Sequence, residues 1–260
     1  MFDLAYNANG LRNLPLETAI KEVADAGFDG IELSLHPNHL DPFAFTESDA
    51  ERLRTVLETT GLTACCLATG ADDLLGAEPF EPSLIHPDPD GRRARIDLIT
   101  RSIRIARRLG VPVINFASGR RKPEVAPDQA ARWLRDGVRR LLEEAAGEVV
   151  LAMEPEPGFF LQTNAQVAEL HADLAADGFA LCQDLGHCRV VEDDYLGSVE
   201  RHLPITRHIQ VEDIKGRVHR HEIPGDGDID FPAFFAALRR GGYTGYLSVE
   251  LYNHADVYRE

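Results

Sequence analysis

The 260-residue chain is 44% hydrophobic and carries a formal net charge of -16, which gives enough apolar content for one sizeable core and the wrong sign for a polyanionic partner. A small or neutral substrate suits this balance, and nucleic acid is not expected as a partner. Met1-Phe2-Asp3-Leu4-Ala5 has neither a basic segment nor a signal-type apolar stretch, and no run reaches the roughly 18 apolar residues of a membrane span, so a cytoplasmic protein is expected.

The first strand-like run, residues 2–5, leads into Tyr6-Asn7-Ala8-Asn9-Gly10 rather than the glycine-rich turn of a doubly wound dinucleotide fold. An amphipathic segment at 15–26 ends at Gly27, and a strand at 30–35 carries Glu32 as a charge within an apolar run. A helix at 47–60 stops at Gly61, and a strand at 62–67 holds the neighbours Cys65 and Cys66, which with Cys182 and Cys188 form no C-x-x-C pair. Reduced, buried thiols follow. Residues 70–91 are proline-rich and aperiodic, the mark of a long loop over the mouth of a barrel. Helix 92–109, strand 111–116 and helix 128–146 come next, with arginines at 101–108 and 132–140 spaced as on solvated helix faces. Strands at 149–153, 179–181, 208–210 and 246–249 alternate with helices at 164–176, 195–203 and 231–240. Short apolar strands alternating with helices imply a parallel sheet with helices outside, and an eight-strand count favours a closed barrel. The expectation is a single (β/α)8 TIM barrel over residues 1–260, with the eighth helix short or absent because little chain follows the last strand.

Four polar residues stand at the downstream ends of the last four strands: Glu154, Asp184, Gln210 and Glu250. In such barrels the active site lies at those ends. Three carboxylates converging out of water need a neutralising cation. Hard oxygen donors favour Mn2+ first, then Mg2+, with Co2+ or Zn2+ as alternatives if an imidazole joins.

The runs Met153-Glu154-Pro155-Glu156-Pro157-Gly158, Gln183-Asp184-Leu185-Gly186-His187, His208-Ile209-Gln210-Val211-Glu212-Asp213, Pro224-Gly225-Asp226-Gly227-Asp228-Ile229-Asp230-Phe231 and Val249-Glu250 resemble the xylose isomerase-like TIM-barrel superfamily. Its members include sugar isomerases and epimerases, hydroxypyruvate isomerase-like and ketose 3-epimerase-like proteins, and the apurinic endonucleases. The resemblance implies one divalent metal on Glu154, Asp184, Gln210 and Glu250. Gln210 stands where most relatives place His, a departure shared by hydroxypyruvate isomerase-like members, and it disfavours Zn2+. It further implies a sugar or keto-sugar substrate, proton transfer beside a carbonyl through an enediolate, and Glu154 and Glu250 as the acid/base pair. His187 would bind a substrate oxygen, Glu156 would orient Glu154 or bind a hydroxyl, Arg217 and His221 would contact substrate, and Glu32 and Asp213 would support the ligands. A homo-oligomer is compatible with the resemblance.

The same resemblance leaves other readings open. The Glu-Asp pair after Gln210 and the Glu250-Leu251-Tyr252-Asn253-His254 ending resemble lyases that cleave 3-keto-glycosides, C-glycosides included, by β-elimination, with His254 protonating the leaving group. His219 and His221 match the position of extra metal ligands in the endonucleases, but Phe116-Ala117-Ser118-Gly119 lacks their metal-binding His. A sugar-binding barrel without catalysis is the remaining alternative.

Overall fold

A computed structural model of the chain describes residues 2–70, 74–76, 78 and 80–257. Eight parallel strands close into a barrel in chain order: β1 (Asp3–Asn7), β2 (Gly30–Ser34), β3 (Thr63–Ala68), β4 (Val113–Ala117), β5 (Val150–Glu154), β6 (Phe179–Asp184), β7 (Thr206–Val211) and β8 (Tyr246–Val249). Closure is made by β1 against β8, with Asp3 beside Tyr246 and Tyr6 beside Val249.

Alternation along each strand sorts its side chains into two environments. Outward residues such as Ile31, Leu33, Leu67, Ile114, Leu151 and Leu181 pack into the main core. Inside the barrel a separate cluster draws small residues from different strands, among them Ala5, Cys66, Ala152, Ala180 and Cys182. Their small size leaves room within the barrel for the larger polar side chains described below.

The outer ring comprises α1 (Leu16–Asp25), α2 (Glu47–Thr60), α3 (Pro89–Leu109), α4 (Pro127–Ala145), α5 (Asn164–Leu174), α6 (Leu185–Val191), α7 (Tyr195–His202) and α8 (Phe231–Arg240). Their starts follow local chemistry. Thr46 with Asp49, and Thr163 with Gln166, form capping boxes at α2 and α5, while Asp88 caps α3 ahead of Pro89.

Two helices lie between β6 and β7 where the sequence suggests one at 195–203. The additional helix, α6, is seven residues long, too short for an amphipathic period to register. After β8, where the sequence suggests a short or absent helix, the described residues form a 3-10 turn, Tyr252–His254. In the loop expected at 70–91, residues 71–73, 77 and 79 lie outside the described residues, and α3 begins earlier than its arginine-rich face suggests. The cysteines are free and buried, and no described helix is long and apolar enough to cross a membrane.

Candidate active site

Glu154 closes β5, Asp184 closes β6, Gln210 stands one residue before the end of β7, and Glu250 directly follows β8. Glu154, Asp184 and Glu250 each offer a carboxylate oxygen, and the three oxygens lie within 4.8 Å of one another. Glu154, Glu250 and Gln210 share the wall of a cavity of about 550 Å3 at this end of the barrel.

A hydrogen-bond partner fixes one atom of each of these groups and so sets the direction of the other. Asp184 caps α6, its Oδ1 accepting from the His187 amide at 2.6 Å, while Oδ2 is buried with no hydrogen-bond partner among the described residues. Glu154 Oε2 accepts from Asn115 Nδ2 at 2.8 Å. Glu250 Oε1 accepts from Asn7 Nδ2 at 3.0 Å and Asn9 Nδ2 at 2.7 Å. Gln210 Nε2 donates to Glu32 at 3.1 Å, so its carbonyl oxygen is the atom not committed to that contact. Three carboxylate oxygens and one amide oxygen suit a hard divalent cation, which would also offset the charge gathered where Asp184 meets the buried Glu212 carboxyl.

Charge is concentrated around this point. His187 is 3% exposed and places Nδ1 3.2 Å from Glu154 and Nε2 3.6 Å from Glu156. Burial alone would lower its pKa, but Asp184, Glu156 and Glu154 together hold it well above the usual imidazole range. Asp184 is pushed upward by burial yet held below its ordinary value, chiefly by His187 and then His221. Burial, then the charges of Glu154 and Asp184, raises Glu250 well above the carboxylate range. Glu212 is fully buried and raised in the same way, by burial and then by Asp184. Gly186 leaves it room, since a Cβ there would collide with the Glu212 carboxylate. Glu156 is pushed up to about 7 by burial, against the opposing pull of His187. His219 and His221 are lowered to about 4, mainly by burial.

His187, His219, His221 and Glu156 all line the cavity. His221 meets the Glu250 carbonyl oxygen through Nδ1 at 3.0 Å and stacks edgewise on Tyr252, with ring centroids 4.6 Å apart. Two of the expected residues lie outside the cavity. Arg217 does not line the cavity: its guanidinium pairs at the surface with Asp193 at 2.7 Å and donates to the Val190 carbonyl at 2.9 Å. His254 also lies outside, with Nε2 2.9 Å from the His221 carbonyl oxygen. Asp213 works at one remove. Its carboxylate accepts from the backbone amides of Ile214, Gly225 and Ile229 and so holds the loop that carries His219 and His221.

The asparagines holding the two glutamates are absent from the sequence reading, although a usable signal exists. Asn7 closes the first strand, the position that singles out the last four, while Asn115 sits mid-strand in β4 as a polar residue within an apolar run.

A model of the xylose isomerase-like TIM barrel matches residues 20–260. The chain belongs to that family. A human relative named as a hydroxypyruvate isomerase is 26% identical over 261 residues, covering 93% of this chain and 86% of its own length. An L-ribulose-5-phosphate 3-epimerase of Salmonella paratyphi C is 24% identical over 232 residues, covering 87% of this chain and 78% of its own. Among solved structures, a D-tagatose 3-epimerase-like protein superposes with a TM-score of 0.82 at 16% identity, covering 98% and 93% of the two chains. The Escherichia coli 3-keto-D-glucoside 4-epimerase gives 0.80 at 18%, covering 96% and 92%. At these identities the two structures speak to the fold.

Proposed function

We propose that this protein is a divalent-metal-dependent sugar isomerase or epimerase that moves a proton on a carbon beside a carbonyl. The observation that carries the reading is the disposition of Glu154 and Glu250. They stand at the end of β5 and just after β8, three strands apart around the ring, yet bring carboxylate oxygens within 4.8 Å of one another. A flat, proton-depleted sugar held between them would meet one carboxylate on each side. Each glutamate has one oxygen tethered by asparagine, which sets the direction of the other and leaves it to take or return the proton.

A bound divalent cation, held by Glu154, Asp184, Gln210 and Glu250, would acidify that C–H bond and offset the charge gathering on the substrate oxygens, with Mn2+ the first choice for an oxygen set. The surrounding residues orient the sugar. His187 donates a ring N–H to a substrate oxygen, and Glu156 and His221 supply further polar contacts on the cavity wall. The names of the human and Salmonella relatives, an isomerase and an epimerase, support the same reaction class.

β-Elimination of a 3-keto-glycoside would begin with the same proton abstraction, but the expected leaving-group acid, His254, points at a backbone carbonyl. A sugar-binding barrel without catalysis would have no use for two tethered glutamates facing one cavity. The test is solvent exchange. Keto-sugars and 3-keto-glycosides are incubated with the protein and Mn2+ in D2O and followed by NMR. Deuterium entering beside the carbonyl with no aglycone released is expected. Release of the aglycone would favour the lyase, and no exchange in any substrate, with or without Mn2+, would defeat the reading.

A further inference from the structure

Below the rim, at the level of β2 and β7, a polar cluster is enclosed within the barrel. Glu32 and Gln210 are 0% exposed and His208 is 1% exposed. Glu32 Oε1 accepts from Gln210 Nε2 at 3.1 Å, and Oε2 lies 2.9 Å from His208 Nε2. Cys66 also bonds to the Glu32 side chain. Although Glu32, Cys66 and His208 could by composition bind a metal, Glu32 and His208 already sit at direct hydrogen-bond distance, with no space for an ion between them.

An ionised carboxylate accepts hydrogen bonds and cannot donate them. Against Glu32 Oε1 the Gln210 amide presents its nitrogen and turns its oxygen away. That oxygen has one weak neighbour, the Cys182 thiol at 3.6 Å.

The backbone carries an independent mark of the same arrangement. The register of β2 against β3 slips between Ile31 and Glu32, and that of β6 against β7 slips between Leu181 and Cys182, where Cys182 pairs with His208. The two irregularities flank the cluster. Slips of this kind re-aim side chains and recur beside active sites.

We propose that Glu32 is a positioning residue that locks the Gln210 amide with its oxygen toward the metal site, completing an all-oxygen donor set and thereby selecting the class of cation. His208 supports Glu32 by occupying its other oxygen. The inference rests on the metal-dependent reading above and adds the residue that sets one ligand's donor atom.

The test is Mn2+ affinity of the metal-free protein, read by electron paramagnetic resonance with no substrate, in a double-mutant cycle on Glu32 and Gln210. Partners that orient metal ligands change affinity by about 10- to 100-fold. E32Q should weaken Mn2+ binding by at least about tenfold, because a Gln at 32 can pair with either face of the Gln210 amide. E32D keeps the charge but loses the reach, and carries the same expectation; circular dichroism identifies which variants fold. In a Q210A background neither change should cost more than about twofold further. Unaltered affinity in a folded Glu32 variant, or an equal loss with and without Gln210, overturns the proposal while leaving the metal site standing. If wild-type protein binds no Mn2+, the metal reading and this inference fall together.

Discussion

The rim of the barrel divides into two unlike halves. Strands β5 to β8 carry Glu154, Asp184, Gln210 and Glu250 at or beside their ends, whereas among the first four strands β1 and β4 carry the neutral amides Asn7 and Asn115. The halves meet at two seams, β4 with β5 and β8 with β1, and at each seam an asparagine donates to the glutamate next door. One half supplies the charge and the other orients it. Ionised carboxylates cannot order one another, so donors hold them in place: asparagines at the seams for Glu154 and Glu250, the His187 amide for Asp184.

The severest way to break this comparison is to remove the acids. E154Q and E250Q keep size and shape but cannot exchange a proton, and each should lower turnover by about 10^2- to 10^4-fold, the usual contribution of a general acid or base. The deuterium-exchange rate measures it. A variant at wild-type rate would remove that glutamate from the chemistry.

Glu156 sharpens the comparison, because this carboxylate of the acidic half has imidazoles rather than asparagines nearby, His187 at 3.6 Å and His219 at 3.8 Å. With its pKa raised to about 7 by burial, the folded protein holds this proton more tightly than the unfolded chain. Its stabilising contribution is full below the ordinary glutamate value and is lost as pH rises through 7. His219 and His221, lowered to about 4 by burial, act oppositely: their contribution is full above the ordinary imidazole value and is lost as pH falls toward 4. Comparison with E156Q isolates the glutamate. Relative to that variant, the metal-free protein should lose on the order of 3 kcal/mol between pH 4.5 and 8 in urea unfolding. Parallel pH profiles would show that Glu156 ionises normally.

The amide half answers to N115A and N7A. A hydrogen bond to a charged group is worth about 1.5–3 kcal/mol, so each substitution should reduce the exchange rate by about tenfold or somewhat more. N9A should do less than N7A, since Asn9 lies off the strand. Equal rates in N115A and wild type would mean that the Glu154 carboxylate needs no orientation from β4.

The two halves were not equally legible in the sequence. Alternating short apolar runs and glycine-stopped helices sufficed for the barrel, and a charge at the end of an apolar strand is conspicuous because burial makes it costly. An asparagine ending a strand, as Asn7 does, is an ordinary terminator, and Asn115 within β4 carries no charge to mark it. The seven residues of α6 fell below the length at which periodicity speaks. Side-chain direction on loops was the least readable of all. Arg217 and His221 lie in one segment of alternating character, yet the Asp213-anchored loop turns His221 inward, to 1% exposure, and Arg217 out to Asp193.

That last contrast gives the smallest expected effect and a control for the rest. Arg217 pairs with Asp193, whose side chain is 97% exposed, and exposed pairs contribute little because water and salt screen them. R217A should therefore change the exchange rate, the apparent affinity for substrate and the urea midpoint by less than about twofold. H221A, four residues on, removes the ring between the Glu250 carbonyl and Tyr252 and should alter substrate affinity measurably. If R217A instead weakened substrate binding by about tenfold while leaving stability untouched, the guanidinium would have to swing from Asp193 into the cavity when substrate arrives. The division between a charged half and an orienting half would then hold only for the empty barrel.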